Sequence, residues 1–131
     1  MMKRSILFVG LATLAAAPAH ASERIDIAVD AMVAAQTCEV KGYAVDREGI
    51  ASLVAQAQSD AMAAGATEAE AGDLVRSELA FELRRKNEEF ARAALMDHAL
   101  ENVERFDRLW DRRCARLSQD TVTSDYFVAL H

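Results

Sequence analysis

Proline is nearly absent from the sequence. The single one is Pro18, and between residues 73 and 131 there is neither proline nor glycine. A stretch of that length without a breaker reads mostly as helix. The five glycines, Gly10, Gly42, Gly49, Gly65 and Gly72, are too scattered for a phosphate-cradling loop. Cysteine is as scarce: Cys38 and Cys114 form no C-x-x-C dithiol and no C-x-x-C-H haem attachment. Histidine is limited to His20, His98 and His131. His98 near Asp97 and Glu101 falls short of the three or four convergent ligands that zinc requires, and a solvated or capping role is expected for it. Ser52, Ser59, Ser77, Ser118 and Ser124 stand in no nucleophile elbow and no S-x-x-K context. Glu88-Glu89 and Glu101/Glu104 lie in charge-rich helix, where solvated surface explains them better than acid–base work in a pocket. The expectation is a protein without catalytic activity, metal or cofactor.

What is present begins with a leader. Lys3 and Arg4 precede a mostly apolar run from Ser5 to Ala17, and Ala19-His20-Ala21 supplies the small-x-small pattern of a signal-peptidase site. The run is shorter than the about 20 apolar residues needed to span a bilayer. No cysteine follows it to accept a lipid. An uncleaved anchor is the competing reading. The expected outcome is a cleaved signal peptide, 1–21, export to the periplasm without stable membrane insertion, and one helical domain, 22–131.

Basic residues are outnumbered, 15 Lys+Arg against 21 Asp+Glu, and the leader takes two of the bases with it. Such a surface disfavours nucleic acid and anionic lipid as partners. The imbalance is uneven. Residues 22–75 hold ten acids and three bases, residues 76–117 ten bases and nine acids. In an oxidising compartment an even cysteine count reads as a disulfide, here Cys38–Cys114. Closing 76 residues of chain is worth about 4–5 kcal/mol in the chain-entropy model. An intermolecular disulfide is the alternative.

Hydrophobic periodicity gives four helices. The first, 23–41, has its polar residues Glu23, Asp26, Asp30, Thr37 and Lys41 on one stripe and is apolar elsewhere, the signature of a helix surrounded by others. Lys41-Gly42-Tyr43-Ala44 reads as a turn. Asp46 is placed as an N-cap, with Val45 and Ile50 as a hydrophobic staple. Ile50, Leu53, Val54, Ala57, Ala61 and Ala64 form the inner stripe of the second helix, which Gly65 closes. Thr67-Glu68-Ala69-Glu70 is a capping box opening the long helical segment. There Val75, Leu79, Leu83, Phe90 and Ala94 form one apolar stripe, while Val103, Phe106, Trp110, Cys114 and Leu117 form another. The two stripes are out of phase by roughly 150°. A break near 95–98 reconciles them, with Asp97 as a candidate N-cap; an unbroken helix meeting a partner with its second half is the competing reading. Past Leu117 a polar stretch leads to Tyr126-Phe127-Val128-Ala129-Leu130. A last helical turn capped by Ser124 or Asp125 would dock Phe127 and Leu130 on the bundle; a free tail would instead be a recognition peptide.

One surface feature points to a partner. Arg105, Arg108, Arg112 and Arg116 recur at helical spacing as a cationic ridge on the outer face of the last helix. Such a row can grip carboxylates of an acidic protein. The plainer account pairs Glu101 with Arg105 and Glu104 with Arg108 on the helix surface.

Several pieces resemble an alphaproteobacterial family of small exported two-cysteine helical proteins known only as a domain of unknown function. They are the Ala/Val-rich first helix ending in Cys38, then Ala64-Gly65-Ala66-Thr67-Glu68-Ala69-Glu70 leading into Val75-Arg76-Ser77. The charged helix through Ala91-Arg92-Ala93-Ala94 is also similar, as is a second cysteine followed by Ser124 and a short apolar tail. The stretch between Ala94 and Cys114 departs from the family pattern, which is looser and contains glycine there. The resemblance implies no activity and carries over no catalytic residue.

These readings converge on an all-α, four-helix bundle with one disulfide and a short C-terminal helical segment. The expected function is that of a non-catalytic periplasmic accessory that binds another, acidic protein through Arg105, Arg108, Arg112 and Arg116 or through Tyr126 and Phe127. The alternative is a disulfide-stabilised acid or stress chaperone, its carboxylates neutralised near pH 3–4.

Overall fold

The computed structural model of the chain describes residues 16–130, with side chains from Glu23 onward. Helix α1 is Ala16–Val40 and is followed by a short strand β1, Tyr43–Val45. Helices α2 (Arg47–Ala63), α3 (Glu68–Leu95) and α4 (Ala99–Gln119) come next. A 3-10 turn, Ser124–Tyr126, leads into strand β2, Phe127–Ala129. The class is all-α with four helices, as the periodicity predicts. The leader through Ala15 lies outside the described residues. Helix α1 is already formed at Ala16, the first described residue, seven residues before the expected Glu23.

Local chemistry sets the element ends. Asp46 accepts from the Gly49 amide at 2.9 Å and caps α2. Gly65 closes that helix at φ +112°, a conformation that penalises any Cβ. Thr67 Oγ1 accepts from the Glu70 amide at 3.1 Å and starts α3. The break falls at 96–98, but Asp97 is not the cap. His98 occupies the N-cap position of α4 in the left-handed region, φ 63°, without a side-chain cap bond.

Ion pairs show how the helices run. Arg24–Asp60 and Glu39–Arg47 pin opposite ends of α1 and α2, making them antiparallel. Lys41 reaches Asp107 and Asp111 on α4 at 2.7 and 2.6 Å, and Asp30 meets Arg113, so α4 is antiparallel to α1 as well. Lys86 donates to Thr37 Oγ1 at 2.7 Å. The core is made of Ile25, Ala28, Val29, Ala31, Val33, Ala34, Ala35 and Cys38 on α1 with Ile50, Val54, Ala57 and Ala61 on α2, Ala71 and Val75 on α3, Trp110, Cys114 and Leu117 on α4, and Phe127 of the tail. Helix α1 supplies nearly half of it, in keeping with its apolar circumference. Cys38 and Cys114 form the expected disulfide, with Cα atoms 5.6 Å apart.

Two expectations are corrected. The C-terminal segment contributes only one 3-10 turn; Thr123, and neither Ser124 nor Asp125, occupies its N-cap position, without a side-chain cap bond, and Thr123 Oγ1 donates to the Leu117 carbonyl at 2.7 Å. The tail then pairs antiparallel with the segment read as a turn, in the register Tyr43↔Ala129, Ala44↔Val128, Val45↔Phe127. Phe127 docks, 1% exposed, while Leu130 remains 65% exposed. The second correction concerns α3. Val75 is buried and Leu79 packs against the core, but Leu83, Phe90 and Ala94 are exposed. From residue 76 to residue 109 no residue is buried. The far half of α3 and the near half of α4 therefore stand outside the core as a two-helix hairpin, closed by an edge contact of Phe90 on Phe106 at 5.5 Å.

Candidate functional site

Helix α4 carries a different chemistry on each flank because 100° per residue sorts its side chains. Trp110, Cys114 and Leu117 face inward. On one flank Asp107 and Asp111 share the Lys41 ammonium. Burial pulls the Lys41 pKa down, but the hydrogen bonds to these two aspartates outweigh it and leave the group above its ordinary value.

On the other flank Arg113 is largely buried and meets Asp30 of α1, with Glu82 of α3 at 3.9 Å. Its guanidinium also lies 4.5 Å from the centre of the Trp110 ring, and Lys86 Nζ lies 4.6 Å from the same ring. Burial and the Arg113 charge lower the Lys86 pKa. Glu82 is further held by Arg85 at 2.7 Å. Glu78, which faces Asp26 and Glu82, has its pKa raised, first by burial and then by those two carboxylates. Of these groups Asp26, Asp30, Glu78, Glu82, Arg85 and Arg113 line a cleft of about 690 Å³ between α1, α3 and α4. Sequence spacing singled out none of them. The available signal was position: Arg113 falls at the border of the apolar stripe, 100° from Cys114, where a charge must find a partner or a route to water.

The arginine ridge is where the spacing placed it. Arg105, Arg108, Arg112 and Arg116 are all exposed on the outer face of α4. Arg116 lies 3.7 Å from Asp30. Among the described residues no carboxylate comes within ion-pair distance of Arg105, Arg108 or Arg112. The surface pairs Glu101–Arg105 and Glu104–Arg108 are thus not formed. The tail is a different matter. Phe127 lies in the core and Tyr126 is half-buried against it, so the structure does not bring the tail and the ridge into one exposed surface.

Alongside the ridge runs a second cleft of about 510 Å³, whose lining includes Ala93, Met96, Phe106 and Leu109, with Arg92 and Arg105 among its polar residues. It shares Glu89 and Leu109 with the larger cleft, so the two follow one another along the α3–α4 seam. Among the described residues no group of three or more His, Cys, Asp or Glu is placed to hold a metal ion. No protein-family model, curated protein or solved structure matches the chain.

Proposed function

We propose that this protein is an exported, non-catalytic binding protein of the bacterial periplasm, and that the outer face of α4 docks an acidic region of another protein. The observation that carries the reading is the unneutralised arginine row. Between residues 105 and 116 five arginines accompany two aspartates, a local charge of +3 in a chain of net charge −6. Both aspartates are engaged by Lys41. An acidic chain that holds three exposed arginines free of its own carboxylates presents a surface that attracts an acidic partner and repels a second basic one.

Export is supported by the leader pattern of residues 1–21 and by the fully buried Cys38–Cys114 disulfide, a bond that persists in oxidising compartments. Among the described residues no helix is long and apolar enough to cross a membrane. The resemblance to exported two-cysteine helical proteins agrees with the same placement.

The test is affinity capture from the native periplasm with the mature protein and with the triple variant Arg105→Glu, Arg108→Glu, Arg112→Glu. Partners retained by the parent at low salt should be lost by the variant and released from the parent as screening increases. An unchanged set of partners would remove the ridge from the function.

A further inference from the structure

The groove beside the arginine row has an apolar floor and two unlike rims. Met96 and Leu109 are exposed beside half-buried Phe106, so the floor is open to an incoming side chain. Along the α4 rim stand Arg105, Arg112 and Arg116. The α3 rim carries Glu78, Glu82 and Glu89 with Arg85 and Arg92 among them; Arg85 holds Glu82 at 2.7 Å and stands 3.9 Å from Glu89. The groove is therefore unequal across its width, a row of arginines on α4 and a mixed rim with one carboxylate in excess on α3.

We propose that this groove receives an acidic amphipathic helix of the partner. The helix lies along α4, its carboxylates on Arg105, Arg112 and Arg116 and its apolar residues on Met96, Phe106 and Leu109. This deepens the docking role assigned to the arginine row and rests on it. Arg105 to Arg116 spans about 16 Å, three turns of helix, so the matching carboxylates recur along one flank of the ligand at roughly seven- and four-residue steps. Acids on its other flank would meet Glu78, which has no ion-pair partner among the described residues, and would gain little from Arg85, already shared by Glu82 and Glu89. The ligand is thus acidic on one flank only, and apolar between.

The experiment uses the full mature chain and dye-labelled helical peptides of about 16 residues, read by fluorescence anisotropy. One probe carries a leucine stripe with glutamate on one flank and lysine on the other; a second has glutamate on both flanks, and a third has lysine on both. The one-flank probe should bind best and weaken as salt is raised. Arg105→Glu with Arg112→Glu should weaken it about tenfold and raise binding of the all-lysine probe. Leu109→Asp, or Met96→Asp if the first variant loses its helical circular dichroism, should weaken the one-flank probe about fivefold. Failure of every probe to bind the parent, or equal binding of all three, would overturn the proposal. Loss with the arginine reversals but none with either floor variant would also overturn it, leaving the ridge alone as the docking surface. So would salt-sensitive self-association of the parent in sedimentation velocity that the arginine reversals abolish, since the occupant would then be a second copy.

Discussion

Arg113 joins three helices through one guanidinium. It meets Asp30 of α1 and approaches Glu82 of α3 while lying over Trp110 of its own helix, and only 15% of its side chain is exposed. Removing one member of such a buried set costs more than the set contributes, because the remaining charges keep their desolvation and lose their compensation. Arg113→Ala should destabilise the fold by about 3 kcal/mol in urea denaturation followed through Trp110. Arg113→Lys should restore only part of that, since an ammonium cannot serve two carboxylates and an aromatic face with the geometry of a planar fork. Glu78 runs the other way. Its folded pKa is raised by burial and by Asp26 and Glu82, so its ionised form is disfavoured in the folded state. That penalty is fully present above the folded pKa. It disappears as pH falls through the folded pKa to the unfolded one, because the folded state takes up the proton first. Glu78→Gln should therefore be more stable than the parent at pH 7, and urea midpoints of the two should converge as pH falls into the ordinary carboxylate range.

At the scale of the elements, the start of α2 and the C-terminal tail are one structure. The Asp46 amide donates to the Tyr126 carbonyl at 3.0 Å, and the Leu130 amide to the Gly42 carbonyl at 3.1 Å. A Cβ on Gly49 would fall 2.5 Å from Asp46 Oδ2 and 2.6 Å from the Tyr126 ring. Alanine is the better helix former by about 1 kcal/mol, yet here it would displace both the cap and the ring. Gly49→Ala should therefore destabilise, by about 1–3 kcal/mol, and should speed hydrogen exchange at the Leu130 amide. A gain in stability would show that Tyr126 moves aside freely. The pairing of the tail with residues 43–45 was not legible in the sequence. Strands of three residues show too little alternation to register, and 43–45 lie some eighty residues from their partner. The helices were legible because each signal is local: the Asp46 and Thr67 caps, the Gly65 terminator, and the phase change that placed the break near Leu95. The arginine ridge followed from spacing on the same grounds. The misread stripe Leu83, Phe90, Ala94 marks the limit. Periodicity reports that a face is apolar, not that anything covers it, and here the core ends at Val75.

Across the whole molecule, Cys38–Cys114 and the β1–β2 pairing close nearly the same long loop, which contains α2, α3 and the exposed hairpin. They act on different states. The strand pairing exists only when the chain is folded, whereas the disulfide also restricts the unfolded chain, so the first does not make the second redundant. Cys38→Ala with Cys114→Ala should lower the unfolding free energy by about 4 kcal/mol, measured from urea midpoints. Both sulfur atoms belong to residues with no exposed surface, inside the core that α1 and α4 share. A thiolate must reach one of them in line to exchange. The opening that admits it has to part α1 from α4, breaking Asp30–Arg113 and Lys41–Asp107 on either side. Reduction by dithiothreitol under native conditions should therefore proceed no faster than global unfolding, and should slow in proportion when a stabilising variant slows unfolding. Fraying of the hairpin tip around residues 90–102 should leave the disulfide protected, because no residue there is buried and none belongs to the ion pairs that flank it. Reduction much faster than unfolding measured by Trp110 fluorescence would show that α4 separates locally, and that its flanking ion pairs do not hold it.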